Sequence, residues 1–300
     1  MISEEKIKAR IEEKLGSKIK SLSSLSGGCI SDAFKVSTLD GSNYFLKYNP
    51  STSNDMFIKE ANGLKELSKA NAIRIPEVLS FDGDFILLEY ILTGNKNLPA
   101  AKLRQAGKNF FEEFGRSFAK LHKHTSESFG FYEDNYIGSN PQKNIPDENE
   151  KSSWVNFYFK KRILYQLQLA EQLGNSTPEL RKGITKLENK IQDIIGDTQD
   201  KPSLLHGDLW GGNYMVDENG DAVLIDPAVY YGHREADLGM TKLFGGFSSE
   251  FYHAYNETFP IEDGYEYREN IYKLYHVLNH LNLFGGGYYS QALSIIKFYI

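Results

Sequence analysis

The spacing of hydrophobic residues along the chain changes near residue 92. Before that point, short runs of alternating apolar and polar residues predict β-strands, for example at residues 33–36 and 44–48. Helical spacing occurs twice in the same part, at residues 4–15 and at residues 54–70. We therefore expect residues 1–92 to form a lobe with an antiparallel β-sheet and one long helix after the opening helix.

Beyond residue 92 the pattern is mostly helical. Phe110, Phe114, Phe118 and Leu121 recur every three or four residues and predict a buried helix face. Further helices are expected at residues 154–173, 178–195 and 265–283 and from Arg234 onward, and a polar loop is expected at residues 138–152. The sequence thus predicts an α+β fold in which residues 93–300 form a mostly helical second lobe.

Composition narrows the functional classes. The 300 residues are 40% hydrophobic and 13% aromatic, which is enough for a sizeable core in one or two domains. The net charge is −6 and no basic run occurs, so we expect no nucleic-acid partner. The polar start and the lack of long apolar stretches predict neither a signal peptide nor a membrane partner. A single cysteine excludes an internal disulfide and fits a cytoplasmic protein.

Residues 206–213, His-Gly-Asp-Leu-Trp-Gly-Gly-Asn, carry the clearest chemical signal. The chain continues into two short runs of strand character around an Asn-Gly turn and then reaches Asp226. Such a hairpin would bring Asn213 and Asp226 to the same end of paired strands, where they can share one Mg²⁺. Asp208 would then orient and deprotonate a hydroxyl group, as in phosphoryl transfer from a nucleotide. Taken singly, each of these residues would also suit a local backbone cap.

The spacing Asp-x₄-Asn matches the catalytic loop of protein kinases, but the surrounding residues do not. Gly207 stands where those enzymes have an arginine, and Pro227 and Ala228 follow Asp226 in place of Phe-Gly. The motif therefore indicates a kinase-like site in a protein that is not a protein kinase.

The first lobe offers candidates for binding ATP. Gly27 and Gly28 lie in a loop before the strands, where glycines let backbone amides approach phosphate oxygens. Lys47 on a strand would contact the α- and β-phosphates and would be held by Glu60 from the following helix. The loop has neither a Walker A nor a Gly-x-Gly-x-x-Gly pattern, so an ordinary turn and a solvent-facing lysine remain open alternatives.

A buried strand at residues 85–91 runs into a polar segment and predicts the link between the lobes. Backbone groups of Glu89, Tyr90 and Ile91 are the candidates for binding adenine there. The alternative is a core strand that simply ends in a loop.

Several of these segments together resemble the fructosamine kinase (ketosamine-3-kinase) family over nearly the whole chain. The matching segments are residues 205–213, 226–237, 26–31, 244–247 and 275–282. The resemblance implies a two-lobed protein-kinase-like fold and ATP- and Mg²⁺-dependent phosphorylation of the 3-hydroxyl of ketoamines, the products of sugars glycating amines. In that family the 3-phosphate decomposes and frees the amine, which is a deglycation repair activity.

Carried over to this sequence, the resemblance makes Asp208 the proton acceptor and Asn213 and Asp226 the metal ligands. It implies that Lys47 binds phosphate and that Glu60 holds Lys47. Four further residues are candidates on the substrate side, with core packing as the alternative for each: Trp210, His233, His280 and Asn282. Asp237 is expected to cap a helix or to brace the catalytic loop.

Two alternatives remain at the level of function. One is another small-molecule kinase of the aminoglycoside or choline type, and the other is a nucleotide-binding regulatory protein without turnover. The presence of all four residues Lys47, Asp208, Asn213 and Asp226 argues against the second. The sugar, and whether the ketoamine is a small molecule or protein-linked, stay open.

Cys29 lies in the glycine-rich loop and is a candidate redox site. Nearby amide dipoles and Lys47 would lower the pKa of its thiol. We expect either a monomer or a dimer linked through Cys29, and the alternative is a small loop residue without a role.

Overall fold

The computed structural model describes residues 4–25, 31–51, 55–93, 109–196, 198 and 200–300. Its first lobe is a five-stranded antiparallel sheet with the order β1-β2-β3-β5-β4. The strands are β1 (Ile19–Leu25), β2 (Asp32–Thr38), β3 (Asn43–Tyr48), β4 (Val78–Asp82) and β5 (Phe85–Glu89). Helix α1 (Glu4–Leu15) precedes the sheet, and α2 (Met56–Ser68) connects β3 to β4.

The two faces of this sheet pack against different helices. Ile7 and Ile11 of α1 share one apolar cluster with Leu46 of β3. Ile86 of β5 belongs to a second cluster, which contains the buried face of α2. Lys47 pairs directly with Ile86 across the strands and, since neighbouring strand residues face opposite sides, it points toward α2. The alternation of β3 therefore decides where the lysine lies.

Arg74 connects the two lobes at the end of the sheet. Its guanidinium donates to Glu89 Oε1 of β5 at 2.6 Å and to Asp217 Oδ2 in the second lobe at 2.5 Å. Beside this contact, Thr93 forms an isolated antiparallel bridge with Asp217. Both ends of the segment 89–93 are thus connected to Asp217 in the second lobe, Glu89 through Arg74 and Thr93 directly.

The second lobe is mostly helical around one large apolar core. Its helices are α3 (Phe110–His122), α4 (Glu148–Lys151), α5 (Trp154–Tyr158), α6 (Tyr165–Gln172), α7 (Pro178–Glu188), α8 (Ile191–Ile195), α9 (Glu235–Leu243), α10 (Ser249–Thr258), α11 (Tyr265–Phe284) and α12 (Tyr288–Tyr299). A π-helical segment, Phe159–Leu164, joins α5 to α6. Three short two-stranded sheets pair β6 (Asn135–Ile137) with β7 (Asn140–Gln142), β8 (Ser203–Leu205) with β11 (Tyr230–Gly232), and β9 (Tyr214–Val216) with β10 (Ala222–Leu224).

The α+β fold with a sheet lobe and a helical lobe is confirmed, and several predicted boundaries were wrong. The loop expected at 138–152 contains β7 and α4. The helix expected at 154–173 is interrupted by the π-helical segment, and the one at 178–195 breaks at Asn189 and Lys190. The phenylalanine stripe of α3 is buried as predicted. No helix of the described part of the chain is long and apolar enough to cross a bilayer.

Candidate active site

The catalytic loop begins at the end of β8 with a turn that only glycine can form. Gly207 has a φ of +82°, and a Cβ at this position would lie 2.0 Å from the carbonyl oxygen of Ala228. The amide of Ala228 donates back to His206 O at 2.8 Å. The glycine of the His-Gly-Asp motif therefore lets the segment carrying Asp208 lie directly against the segment that follows Asp226.

Asp237 of α9 braces this loop from below, which is one of the two roles predicted for it. Its carboxylate accepts hydrogen bonds from His206 N at 2.7 Å and from Gly207 N at 2.8 Å. His122 Nε2 lies 3.3 Å from the same carboxylate. Burial alone would raise the pKa of Asp237, but the bonds and charges of its histidine and amide neighbours outweigh it and lower that pKa. Asp237 is thus held ionised inside the protein.

Asn213 is oriented by Asp208. The amide nitrogen of Asn213 donates to Asp208 O at 2.8 Å and lies 3.2 Å from Asp208 Oδ2. Because the nitrogen is engaged in this way, the amide oxygen is the atom that Asn213 can offer to a cation. The Asp-x₄-Asn spacing therefore has a direct geometric function.

The carboxyl group of Asp208 lies in an environment that favours its protonated form. Burial, and next the negative charge of Asp226, raise the pKa of Asp208 well above its usual range, while the bond from Asn213 opposes this shift. A base in this position gains proton affinity, and a cation bound at Asp226 would reduce it.

Asp226 follows the β9–β10 hairpin, which begins just after Asn213. The amide of Ile225 donates to Asn213 O at 3.1 Å, so the two ends of the hairpin are joined. Asp226 has a left-handed backbone with a φ of +55°, a conformation that aspartate tolerates better than most residues. His206 links this segment to the catalytic loop, since its Nε2 lies 3.0 Å from Ile225 O.

Lys47 lies between Glu60 and Asp226. Its ammonium donates to Glu60 Oε1 at 2.7 Å and also contacts Asp226 Oδ1. Burial disfavours the ammonium, but the two carboxylates outweigh it and raise the pKa of Lys47. The structure therefore brings the predicted lysine–glutamate pair next to a predicted metal ligand.

Helix α2 is fixed to the second lobe by contacts that the sequence did not reveal. Glu133 accepts from Lys59 at 2.7 Å and from Asn62 at 2.9 Å, and Tyr231 donates to Glu66 Oε1 at 2.9 Å. These contacts flank Glu60 on the helix, so its position relative to Asp226 is set by both lobes.

The segment of the adenine candidates runs from the end of β5 along the link between the lobes. The carboxylate of Glu89 is engaged with Arg74, and the ring of Tyr90 lies 4.7 Å from Lys35 Nζ. Ile91 is buried. Gly27, Gly28 and Cys29 lie outside the described residues.

The oxygen donors beside Asp208 fit Mg²⁺. No three His, Cys, Asp or Glu side chains cluster into a complete metal site in the described ranges. The amide oxygen of Asn213 and the carboxylate of Asp226 are hard oxygen ligands, and Mg²⁺ commonly takes few protein ligands together with phosphate oxygens. The pair therefore suits a cation that arrives with a nucleotide.

Trp210 and His280 belong to one surface. Trp210 is 40% exposed, and its ring lies 5.9 Å from that of Phe244. Phe244, 41% exposed, lies 4.9 Å from the ring of His280. These two substrate candidates are thus connected through a phenylalanine that sequence reasoning did not single out.

His233 and Asn282 lie in the protein interior. His233 is 1% exposed and stacks on Tyr272 with ring centroids 6.0 Å apart. Asn282 donates to Gln166 O at 2.9 Å and Gln166 Oε1 at 2.7 Å. In the described part of the chain, neither side chain has a hydrogen bond or ring contact with the catalytic loop, and both have the contacts of packing residues.

Buried amides on β6 and β7 hold the segment after Asp226. Gln142 donates to Ala228 O at 2.9 Å, and Asn135 donates to Val229 O at 2.8 Å. Tyr275 in turn donates to Gln142 Oε1 at 2.6 Å. For Gln142 the sequence signal was the richness of residues 138–152 in amides, which is equally typical of a surface loop, and Asn135 lies before that segment.

Known proteins match this chain along nearly its whole length. The family model of fructosamine kinase matches residues 3–300. The chloroplastic protein-ribulosamine 3-kinase of Arabidopsis thaliana is 40% identical over 297 residues, covering 97% of this chain and 86% of that protein. A candidate ketoamine kinase of Synechocystis sp. is 37% identical over 286 residues, covering 93% and 90% of the two chains.

Solved structures agree with these matches. A candidate fructosamine-3-kinase from Thermobifida fusca has a TM-score of 0.84 at 31% identity and covers 97% of both chains. A thermostable mutant of an aminoglycoside phosphotransferase, with a TM-score of 0.63 at 16% identity, covers 97% of this chain and 98% of its own, and shares the fold alone. The predictions of a kinase-like fold and of a phosphotransferase are confirmed, and the chain belongs to the fructosamine kinase family.

Proposed function

We propose that this protein transfers the γ-phosphoryl group of Mg²⁺-bound ATP to the 3-hydroxyl of a ketoamine and so starts the release of the glycated amine. The observation that supports the proposal is the network in which Lys47 contacts Asp226, Asn213 contacts Asp208, and the charge of Asp226 acts on Asp208, in a chain that belongs to this family. The substrate class comes from the relatives, which are named as ribulosamine, ketoamine and fructosamine kinases.

In this proposal residues 1–92 form the nucleotide-binding lobe and residues 93–300 the catalytic and substrate-binding lobe. Lys47, steadied by Glu60, contacts the nucleotide phosphates. The backbone of residues 89–91 would bind the adenine, and Gly27 and Gly28 remain the phosphate-binding candidates from the sequence. Asn213 and Asp226 would hold Mg²⁺, which when bound would neutralise the phosphate charge.

Asp208 orients the substrate hydroxyl and accepts its proton as the oxygen attacks the γ-phosphorus. Its raised pKa suits this role because a stronger base takes the proton more readily, provided that the carboxyl group is ionised when the substrate binds. Asp237 keeps the loop in place through the amides of His206 and Gly207. Most of the rate enhancement is expected from positioning and charge neutralisation.

ATP consumption with Mg²⁺ on a small panel tests the proposal. The panel contains fructosyl-lysine, ribulosyl-lysine, choline and an aminoglycoside, and each is assayed with the native enzyme and with Asp208→Asn. We expect turnover of a ketoamine that falls about 10²- to 10⁴-fold in the variant. Turnover of choline or the aminoglycoside alone would overturn the proposed substrate, and an active Asp208→Asn enzyme would overturn the proposed base.

A further inference from the structure

Five rings form a continuous surface that starts next to the catalytic loop. We call it the aromatic strip, and it consists of Trp210, Phe244, His280, Phe284 and Tyr288. Beyond Phe244, the centroid of His280 lies 5.6 Å from that of Phe284 and 5.1 Å from that of Tyr288. Phe284 is the last residue of α11 and is 67% exposed. Exposed apolar side chains that join into one surface mark an interaction site more often than isolated ones do.

The chemistry of a ketoamine determines where its amine must go. The amine nitrogen is separated by only two carbon atoms from the carbon that bears the 3-hydroxyl. When that hydroxyl lies at Asp208, the amine lies beside it, and whatever carries the amine leaves the cleft from there. Lys47 and Asp226 belong to the proposed nucleotide site, whereas Trp210 follows Asp208 by two residues and its ring begins the aromatic strip.

The strip suits such a carrier in its chemical character. A secondary amine is protonated at neutral pH, and aromatic faces attract an ammonium group and pack against methylene groups. Burial lowers the pKa of His280, so this ring adds no positive charge that would repel the ammonium.

The length of the strip indicates how large the carrier is. The steps from Phe244 to His280 and from His280 to Phe284 are 4.9 and 5.6 Å. One residue of extended polypeptide spans about 3.5 Å, so these steps correspond to about three residues. The ketoamine of a free amino acid would end before Phe284, whereas a modified lysine within a polypeptide would place neighbouring residues against it.

Resting on the proposed function, we infer that the aromatic strip binds the polypeptide that carries the ketoamine, and that it selects apolar residues within about three positions of the modified lysine. Phe284 is then a specificity residue for the carrier, without a role in the phosphoryl transfer itself.

Phe284→Ala tests the inference, with Phe298→Ala as the matched control. Phe298 is 57% exposed and packs on Tyr267 near the start of α11, about 25 Å along the helix from Phe284. Two substrates with the same sugar are compared: the ketoamine of free lysine, and the same ketoamine on the central lysine of a pentapeptide with leucine neighbours. Steady-state kcat and KM are measured for each variant.

We expect Phe284→Ala to raise KM for the peptide about 5- to 10-fold, to leave its kcat unchanged, and to leave the free lysine adduct within about 2-fold. Phe298→Ala should behave as the native enzyme. An unchanged KM for the peptide, or an equal change for both substrates, would overturn the inference while the proposed function stands. A native enzyme that turns over neither ketoamine would instead overturn the proposed function.

Sedimentation velocity of the native enzyme and of Phe284→Ala tests whether a second copy of this chain, and not a peptide, binds the aromatic strip. We expect the same mass for both proteins. A native dimer that dissociates in the variant would show that the strip joins two copies, and the inference of a peptide carrier would then fail.

Discussion

Replacing Asp237 by asparagine would separate the support of the catalytic loop from its chemistry. The carboxylate of Asp237 accepts from two backbone amides, His206 N and Gly207 N, and both bonds are buried. Asparagine has nearly the same shape but only one accepting oxygen, so its NH₂ group would face one of the two N–H donors. The loop would have to shift or leave that donor unpaired.

The magnitude follows from the bonds that are lost. A hydrogen bond to an ionised group contributes about 1.5–3 kcal/mol, and a buried donor without a partner costs about 1–3 kcal/mol. We therefore expect Asp237→Asn to lower the free energy of unfolding by about 3 kcal/mol. A displacement of Asp208 by about 1 Å would also lower kcat about 10²-fold. KM for ATP should change little, because Lys47 and Glu60 lie on the other lobe.

Glu235→Gln on the same helix is the matched control. Glu235 is as buried as Asp237 and is bonded through both oxygens to Arg268, at 2.8 and 2.6 Å, without contacting the catalytic loop. Breaking a buried ion pair of this kind costs about 3 kcal/mol or more. The control should therefore lose similar stability and keep its kcat.

Two measurements distinguish an effect on the catalytic loop from general destabilisation. They are urea unfolding, and steady-state kinetics at a temperature where both variants are folded. A destabilised Asp237→Asn enzyme with native kcat would refute the bracing role in catalysis. An equal loss of kcat in Glu235→Gln would show that general destabilisation, and not the loop, lowers the rate.

Three further predictions address the cleft. Lys47→Ala removes the phosphate contact and should raise KM for ATP about 10- to 100-fold in the ATPase-coupled assay, and an unchanged KM would contradict this. Gln142→Leu leaves the buried hydroxyl of Tyr275 without its acceptor, so the free energy of unfolding should fall by about 2 kcal/mol. It also removes the bond to Ala228 O, just after Asp226, so the Mg²⁺ concentration required for activity should rise. A Mg²⁺ titration identical to that of the native enzyme would contradict the idea that Gln142 positions Asp226. In the proposed mechanism Asp208 acts ionised, and its pKa is raised, so kcat/KM for the ketoamine should fall with decreasing pH at values above about 4, the ordinary aspartate range. More Mg²⁺ should move this limb to lower pH, and a limb that stays in the ordinary range would exclude the raised pKa.

Elements whose stability is local could be predicted from the sequence. Helix α1 and the β2–β3 hairpin follow from periodicity and a turn at Asp40-Gly41, and both occur in the structure. The predicted boundaries were wrong where contacts with residues distant in the sequence determine the local structure. In the π-helical segment Arg162 is fully buried, bonded to Lys143 O at 2.5 Å and lying 3.9 Å from the centre of the Tyr230 ring. Nothing in its neighbourhood along the chain reveals that this arginine is a core residue.

The same distinction holds within the site. Asp208, Asn213 and Asp226 could be grouped because a loop and a hairpin of adjacent sequence bring them together. The supports Gln142 and Glu133 could not, since their roles depend on contacts with Ala228 and with α2, far away in the chain. Hydrogen-bonding side chains in a polar stretch suit a surface turn as well as a buried network, and only the tertiary structure separates the two.

The supports found only in the structure share one target. Gln142 and Asn135 bind the carbonyl groups just after Asp226, while Gly207 and His206 connect this segment to the catalytic loop. Asp226 itself contacts Lys47, whose helix partner is fixed to the second lobe by Glu133. Because phosphoryl transfer depends chiefly on position and charge, these ties between the surroundings of Asp226 and buried partners would prepare the proposed site before any substrate arrives. The glycine-rich motif is therefore held by side chains packed beneath it: Asp237 accepts from the amides of His206 and Gly207, and Gln142 and Asn135 donate to the carbonyl groups after Asp226.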